Sequence, residues 1–187
     1  IFLSGCSDSD SSRFEPIAPT AESSGSSLAI AVAPYIENAQ FEELSADGKA
    51  IIQESSTWSD KQGRFNFPND LRVNSIVRLK SSGNPLHGGV PFQGMIKRKV
   101  LAEDRPPFIV SPLTTMLVNG SLPGELIAFL ADAGLVGLTE EDLQRDPMLA
   151  LTGRTAEITE DDLLLLQANM AIGVYMEATG DFDYAGS

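Results

Sequence analysis

Apolar and polar residues alternate in short runs from Leu28 to about Leu101, and the turns between them are punctuated by Asp, Gly and Asn. Leu28-Ala29-Ile30-Ala31-Val32 is the first run, and Ala39-Gln40-Phe41-Glu42-Glu43-Leu44 is the second. Ala46-Asp47-Gly48-Lys49 turns the chain into Ala50-Ile51-Ile52, and Asp60-Lys61-Gln62-Gly63 makes the next turn. Arg64-Phe65-Asn66-Phe67 has the strand period of two, which puts both phenyl rings on one face. Ser75-Ile76-Val77-Arg78-Leu79-Lys80 alternates too, with Ile76 or its neighbours facing a core, and a last strand is expected through Met95-Ile96-Lys97-Arg98-Lys99-Val100. Short strands with regularly spaced turns predict a small antiparallel β-sandwich over residues 28–105.

After Pro106-Pro107 the period changes to that of helices. Ser111-Pro112 supplies an N-cap and a first-turn proline for a short helix through Val118, closed by Asn119-Gly120. Pro123 starts a second helix with Leu126, Ile127, Phe129 and Leu130 on one face, and Gly134 stops it. Thr139-Glu140-Glu141-Asp142 and Thr159-Glu160-Asp161-Asp162 both read as capping-box-like starts, acidic through the first turn. The second of these opens the longest helix, expected to end at Gly180, with Leu163, Leu166, Met170 and Val174 as its buried stripe. The fold class that follows is α+β, a small sandwich and then a helical segment over residues 111–180.

The first residues have a different character. Leu3-Ser4-Gly5-Cys6 runs small residues into the only cysteine, and Ile1, Phe2 and Leu3 read as the end of the apolar part of a signal peptide over residues 1–5. This is the pattern of a bacterial lipoprotein signal, in which cleavage leaves Cys6 as the acylated first residue of the mature protein. Residues 6–27, rich in Ser, Pro and Ala, are expected to be a flexible tether. Ser7 stands where Asp would favour inner-membrane retention, so the expected location is the outer membrane or cell surface. Because the chain opens with Ile1, its start is expected upstream, and residues 181–187 read as an acidic tail that either closes the segment or leads into a further domain.

Composition narrows the partners. One cysteine permits no internal disulfide, and no later run approaches the roughly 18 consecutive apolar residues of a membrane span, so membrane attachment is expected through the lipid on Cys6. The net charge of −13 divides as −3 over residues 1–25, +1 over 26–119 and −11 over 120–187. An acidic third of that size repels phosphate, which argues against nucleic acid.

Catalytic and metal-binding patterns are sparse. His87 is the only histidine and sits in a Pro/Gly-rich loop without a G-x-S-x-G nucleophile elbow, which favours a plain loop residue over a catalytic one. Asp181-Phe182-Asp183-Tyr184-Ala185-Gly186 begins like a calcium loop, with acids at its first and third positions, but Ala185 stands where a third oxygen ligand belongs. Asp181 and Asp183 are therefore candidate Ca2+ ligands, in a chain expected to need no cofactor. Trp58, beside a turn, is the candidate ligand-binding aromatic, with Tyr35, Phe65 and Phe67 as further members of a carbohydrate platform only if their rings face solvent. The Lys97-Arg98-Lys99 run reads as a solvated or edge strand that discourages edge-to-edge pairing.

Three segments in order resemble a group of bacterial surface lipoproteins that carry a carboxypeptidase-regulatory-like, transthyretin-like sandwich followed by helices. Thr57-Trp58-Ser59-Asp60-Lys61-Gln62-Gly63-Arg64-Phe65-Asn66-Phe67 is similar to their "T-D-x-x-G-x-F-x-F" hairpin. The stretch from Gly83 to Gly94 is similar to their Gly-rich loop, and Val110-Ser111-Pro112-Leu113-Thr114-Thr115-Met116-Leu117 to the start of their helical segment; Asp146-Pro147 fits the end of the acidic stretch that follows. Asn38-Ala39-Gln40-Phe41 departs from the small-residue step of that group. The resemblance implies an envelope location and a non-catalytic scaffold. The function expected is thus a lipid-anchored structural or interaction module that meets an envelope or extracellular protein or glycan through sandwich loops, the alternative being a calcium- or carbohydrate-binding surface module.

Overall fold

In the computed structural model, which describes residues 26–80, 83–149 and 158–179, the alternating runs become β1 (Ser27–Ala31), β2 (Ile36–Glu37), β3 (Phe41–Leu44), β4 (Ile51–Glu54) and β5 (Arg64–Phe67). They continue as β6 (Ile76–Leu79), β7 (Leu86–His87), β8 (Val90–Pro91), β9 (Lys97–Lys99) and β10 (Phe108–Val110). The helices are α1 (Pro112–Val118), α2 (Pro123–Asp132) and α3 (Glu160–Thr179), with a 3₁₀ turn at Asp142–Gln144. The class is mixed α+β. One sheet has the order β10-β1-β5, a second β4-β3-β6-β9, and a small third β2-β7-β8.

Two boundaries and one strand direction differ from the pattern reading. Ser27, assigned to the tether, is the buried first residue of β1, and its hydroxyl accepts from the Leu71 N–H at 3.2 Å. Phe108-Ile109-Val110 lies beyond the expected end of the sheets at residue 105 but forms β10, too short a run to show a period. β10 also pairs parallel with β1, in register Ala29 to Phe108, whereas every other strand pair described is antiparallel. Nearly 80 residues separate the two strands, so no tight hairpin dictates their relative direction.

The first two sheets share one hydrophobic cluster. Ala29, Ala31, Phe65, Phe67, Phe108 and Val110 come from one, and Phe41, Val77 and Leu79 from the other. Phe65 stacks on Phe41 with centroids 3.9 Å apart and meets Phe67 edge to face at 5.8 Å; the small side chains of β1 leave room for these rings. The other face of β1 is covered as well, since Ile30, Val32 and Ile109 pack with Tyr35 and Met148. Burial on both faces is why this strand is a continuous apolar run. Before β5, the Asp60 carboxylate accepts from the Gln62 and Arg64 N–H groups at 2.8 and 2.9 Å. Gly63 follows at φ +69°, where an added Cβ would lie 2.2 Å from the Ala31 carbonyl oxygen, so only glycine fits.

The Ser-Pro-Leu-Thr-Thr run joins sheet to helices. Ser111 caps α1 and exchanges hydrogen bonds with Thr114 in a capping box. The same threonines close the edge of the second sheet. The Thr114 hydroxyl donates to the Lys97 carbonyl at 2.7 Å, and the Thr115 hydroxyl accepts from the Lys97 N–H at 2.8 Å. β9 is thus an edge strand in topology but not a solvated one: Lys97 and Arg98 are buried, and only Lys99 is exposed. The helical cover overrides the pattern expectation for this charged run.

Leu113, Leu126, Leu130, Leu138 and Leu143 form a second cluster with Leu165, Ala168, Ile172 and Met176 of α3. Thr159 and Asp162 exchange the expected capping bonds at the start of α3. Thr139 and Asp142 make the same bonds, but only a 3₁₀ turn follows. Pro147 disfavours helical backbone at Asp146 and ends the element early.

Candidate interaction surface

α3 carries apolar residues on two opposite faces. Leu165, Ala168, Ile172 and Met176 recur at helical spacing and are buried, whereas Leu163, Met170 and Val174 recur at the same spacing half a turn away and are 44%, 53% and 65% exposed. The expected buried stripe of Leu163, Leu166, Met170 and Val174 is therefore the outer one, with Leu166 only half-buried. Two apolar faces at 180° cancel in any periodicity measure, so the sequence offers two phases and the tertiary contacts decide between them. On α2, Leu126 and Leu130 are buried as expected, but Phe129 is exposed and meets Tyr175 of α3 edge to face at 5.5 Å. Leu122, Val136 and Ile158 add to the exposed apolar residues of the helical part.

Acids frame this face. Glu160, Asp161 and Asp162 occupy the first turn of α3, whose 20 residues contain no Lys or Arg. Arg145 is already engaged, 2.6 Å from Asp142 and 3.3 Å from Asp162. The Thr159 hydroxyl and backbone N–H hold the Asp162 carboxyl below its ordinary value, with Arg145 adding to the effect. Burial pushes Asp142 upward, but hydrogen bonds from Thr139 and Arg145 outweigh it and leave the carboxyl lowered. Both groups stay ionised well into the acid range.

Asp146 behaves in the opposite way. Burial raises its carboxyl, against the opposing pull of the Met148 N–H, the Tyr35 hydroxyl that donates to Oδ2 at 3.0 Å, and the charge of Arg64. This contact fastens the Asp146 turn to the outer face of β1 and takes Tyr35 out of any carbohydrate platform.

Phe65 and Phe67 are core residues and leave that platform too. Trp58 is half-exposed at 48%, with its ring against Gly83. A Cβ at Gly83 would lie 3.0 Å from the Trp58 Cζ3, and beside it the Asn38 side chain donates to the Asn84 carbonyl at 3.0 Å. His87 lies on β7, paired with Ile36, and packs edge to face on Phe92 at 5.9 Å. Leu3, Ser4, Gly5, Cys6, Asp181 and Asp183 lie outside the described residues. Among the described residues no group of three or more His, Cys, Asp or Glu is placed to hold a metal ion, and no helix is long and apolar enough to cross a membrane. Comparison with protein-family models, with curated proteins and with solved structures gives no match to the chain.

Proposed function

We propose that the chain is a lipid-anchored envelope protein whose folded part is a non-catalytic interaction module. The Leu3-Ser4-Gly5-Cys6 pattern and the Ser-rich stretch after it support the anchor and its outer-membrane or surface location. Two sheets sharing the Phe41, Phe65 and Phe67 cluster support reading the strand-rich part as a transthyretin- or Ig-like sandwich. The observation that carries the interaction role is the outward apolar stripe of α3, a pattern of anchors that an apposed helix reads at successive turns.

The occupant is a basic amphipathic helical segment of another envelope protein. The C-terminal third of the sequence, residues 120–187, carries −11, which attracts a cationic partner and opposes a second copy of the same face. A membrane surface fits poorly, because helices that lie on lipid place Lys and Arg on their polar face and α3 has none. As a probe, a peptide with leucines on one helical face and lysines on the other is titrated against the wild type, the double variant Met170→Asp/Val174→Asp, and Ile51→Asp on β4. The expected result is binding weakened at least about tenfold, about 1.4 kcal/mol, in the α3 variant alone. Equal binding by all three would reduce the attraction to non-specific charge, and concentration-dependent dimers lost in the α3 variant would assign the stripe to self-association.

A second reading rests on Trp58. Its exposed ring beside Asn38 has the composition of a sugar-stacking platform, and a saturable glycan response abolished by Trp58→Ala would favour it.

A further inference from the structure

Where sheet and helices meet, a cleft of about 350 Å³ opens beside β9, walled by Leu101, Leu117, Leu122, Pro123 and Arg98. This volume is at the small end of the range for small-molecule sites, and the wall is apolar apart from a few convergent polar groups, as such sites require. Arg98 is the unusual member. It is only 5% exposed, donates from one terminal nitrogen to the Ile109 carbonyl at 3.0 Å, and from the other to Asp104 at 2.6 Å and Gln144 at 2.9 Å. Its Nε is buried without a hydrogen-bond partner. A buried donor on a charged group costs free energy when left unpaired, so an acceptor that reaches it gains more than a solvent-exposed contact would.

The charge balance selects the acceptor. Arg98 is matched by Asp104, while Lys99, on the same strand and also lining the cleft, is exposed and makes no ion pair among the described residues. The cleft therefore carries one uncompensated positive charge at its rim, in an otherwise acidic molecule, above an apolar floor. We propose that this cleft binds a small amphiphilic carboxylate, with its alkyl body on Leu101, Leu117 and Leu122 and its carboxylate between the Arg98 Nε and the Lys99 ammonium. The site is separate from the outer face of α3 and does not depend on that reading.

Decanoate is the probe, titrated into the whole protein with calorimetry and with the Arg98 Nε–H resonance as readouts, against decyltrimethylammonium as the same chain with the opposite head. Lys99→Glu and Leu122→Glu change exposed side chains, so the fold survives both. The expected result is saturable decanoate binding below its micelle onset, a shifted Arg98 Nε–H, at least about tenfold weaker binding in each variant, and no comparable binding of the cationic amphiphile. Absent saturation, equal binding of both amphiphiles, wild-type affinity in both variants, or binding that leaves the Nε–H unmoved would each overturn the proposal.

Discussion

Thr115→Val tests the joint between sheet and helices with little change of side-chain shape. The Thr115 hydroxyl accepts from the Lys97 N–H at 2.8 Å and donates to the Ser111 carbonyl at 2.7 Å. The carbonyl keeps a second donor, the Thr115 N–H at 3.0 Å, so valine mainly takes the hydroxyl acceptor from the Lys97 amide, which still bridges to Ser111. Loss of an acceptor from a buried amide costs up to about 3 kcal/mol, and the added methyl group returns about 0.8 kcal/mol. The net loss of up to about 2 kcal/mol corresponds to a Tm lowered by up to about 8 °C in a protein of this size. Chemical denaturation gives the global value, and amide exchange at Lys97 gives the local one. Thr115→Ser keeps the hydroxyl, so its Lys97 amide should exchange as slowly as in the wild type even if its stability falls. An unchanged midpoint together with slow Lys97 exchange in the valine variant would refute the edge-closing role.

Three further outcomes are expected. Ile172→Ala should lose about 2–5 kcal/mol, while Val174→Ala stays within about 0.5 kcal/mol; the reverse order in denaturant melts would invert the assigned face of α3. Phe65→Ala, which empties a ring from the stacked pair, should cost about 3–5 kcal/mol by the same assay, and wild-type melting would reject its place in the core. The Asp146 carboxyl is raised by burial, so its contribution is fully present below the ordinary Asp range and is lost as pH rises through the elevated folded value. Asp146→Asn should therefore match or exceed wild-type stability at neutral pH, with the difference shrinking on acidification, and a marked loss at neutral pH would contradict that sign.

What the sequence disclosed depended on how local its causes were. The Asp60 to Gly63 turn, the inward pair Phe65 and Phe67, and the Ser111-Pro112 cap are each fixed within a few residues, and the structure places them as their patterns indicate. β10 and the small β2-β7-β8 sheet escaped because runs of two or three residues have no period, and β10 and β2 pair with strands distant in sequence. The face of α3 escaped for a different reason, since its two apolar stripes are equivalent until Leu113, Leu130 and Leu143 pack against one of them. Arg98 was masked by its neighbours: three consecutive basic residues suggest a solvated strand, and only the cover of α1 and the acceptors Ile109, Asp104 and Gln144 make burial tolerable. An orphaned Nε has no signature in sequence at all.

The lipid-anchored module is tested most directly by the mass of its N-terminal peptide, taken from protein isolated in the membrane fraction of its own cells. The account predicts a peptide that begins at Cys6 and carries acyl lipid on that residue, with Cys6→Ala appearing as an uncleaved or soluble form. A wild-type peptide that retains Leu3-Ser4-Gly5 and bears a free thiol at Cys6, in protein recovered from the soluble fraction, would contradict it.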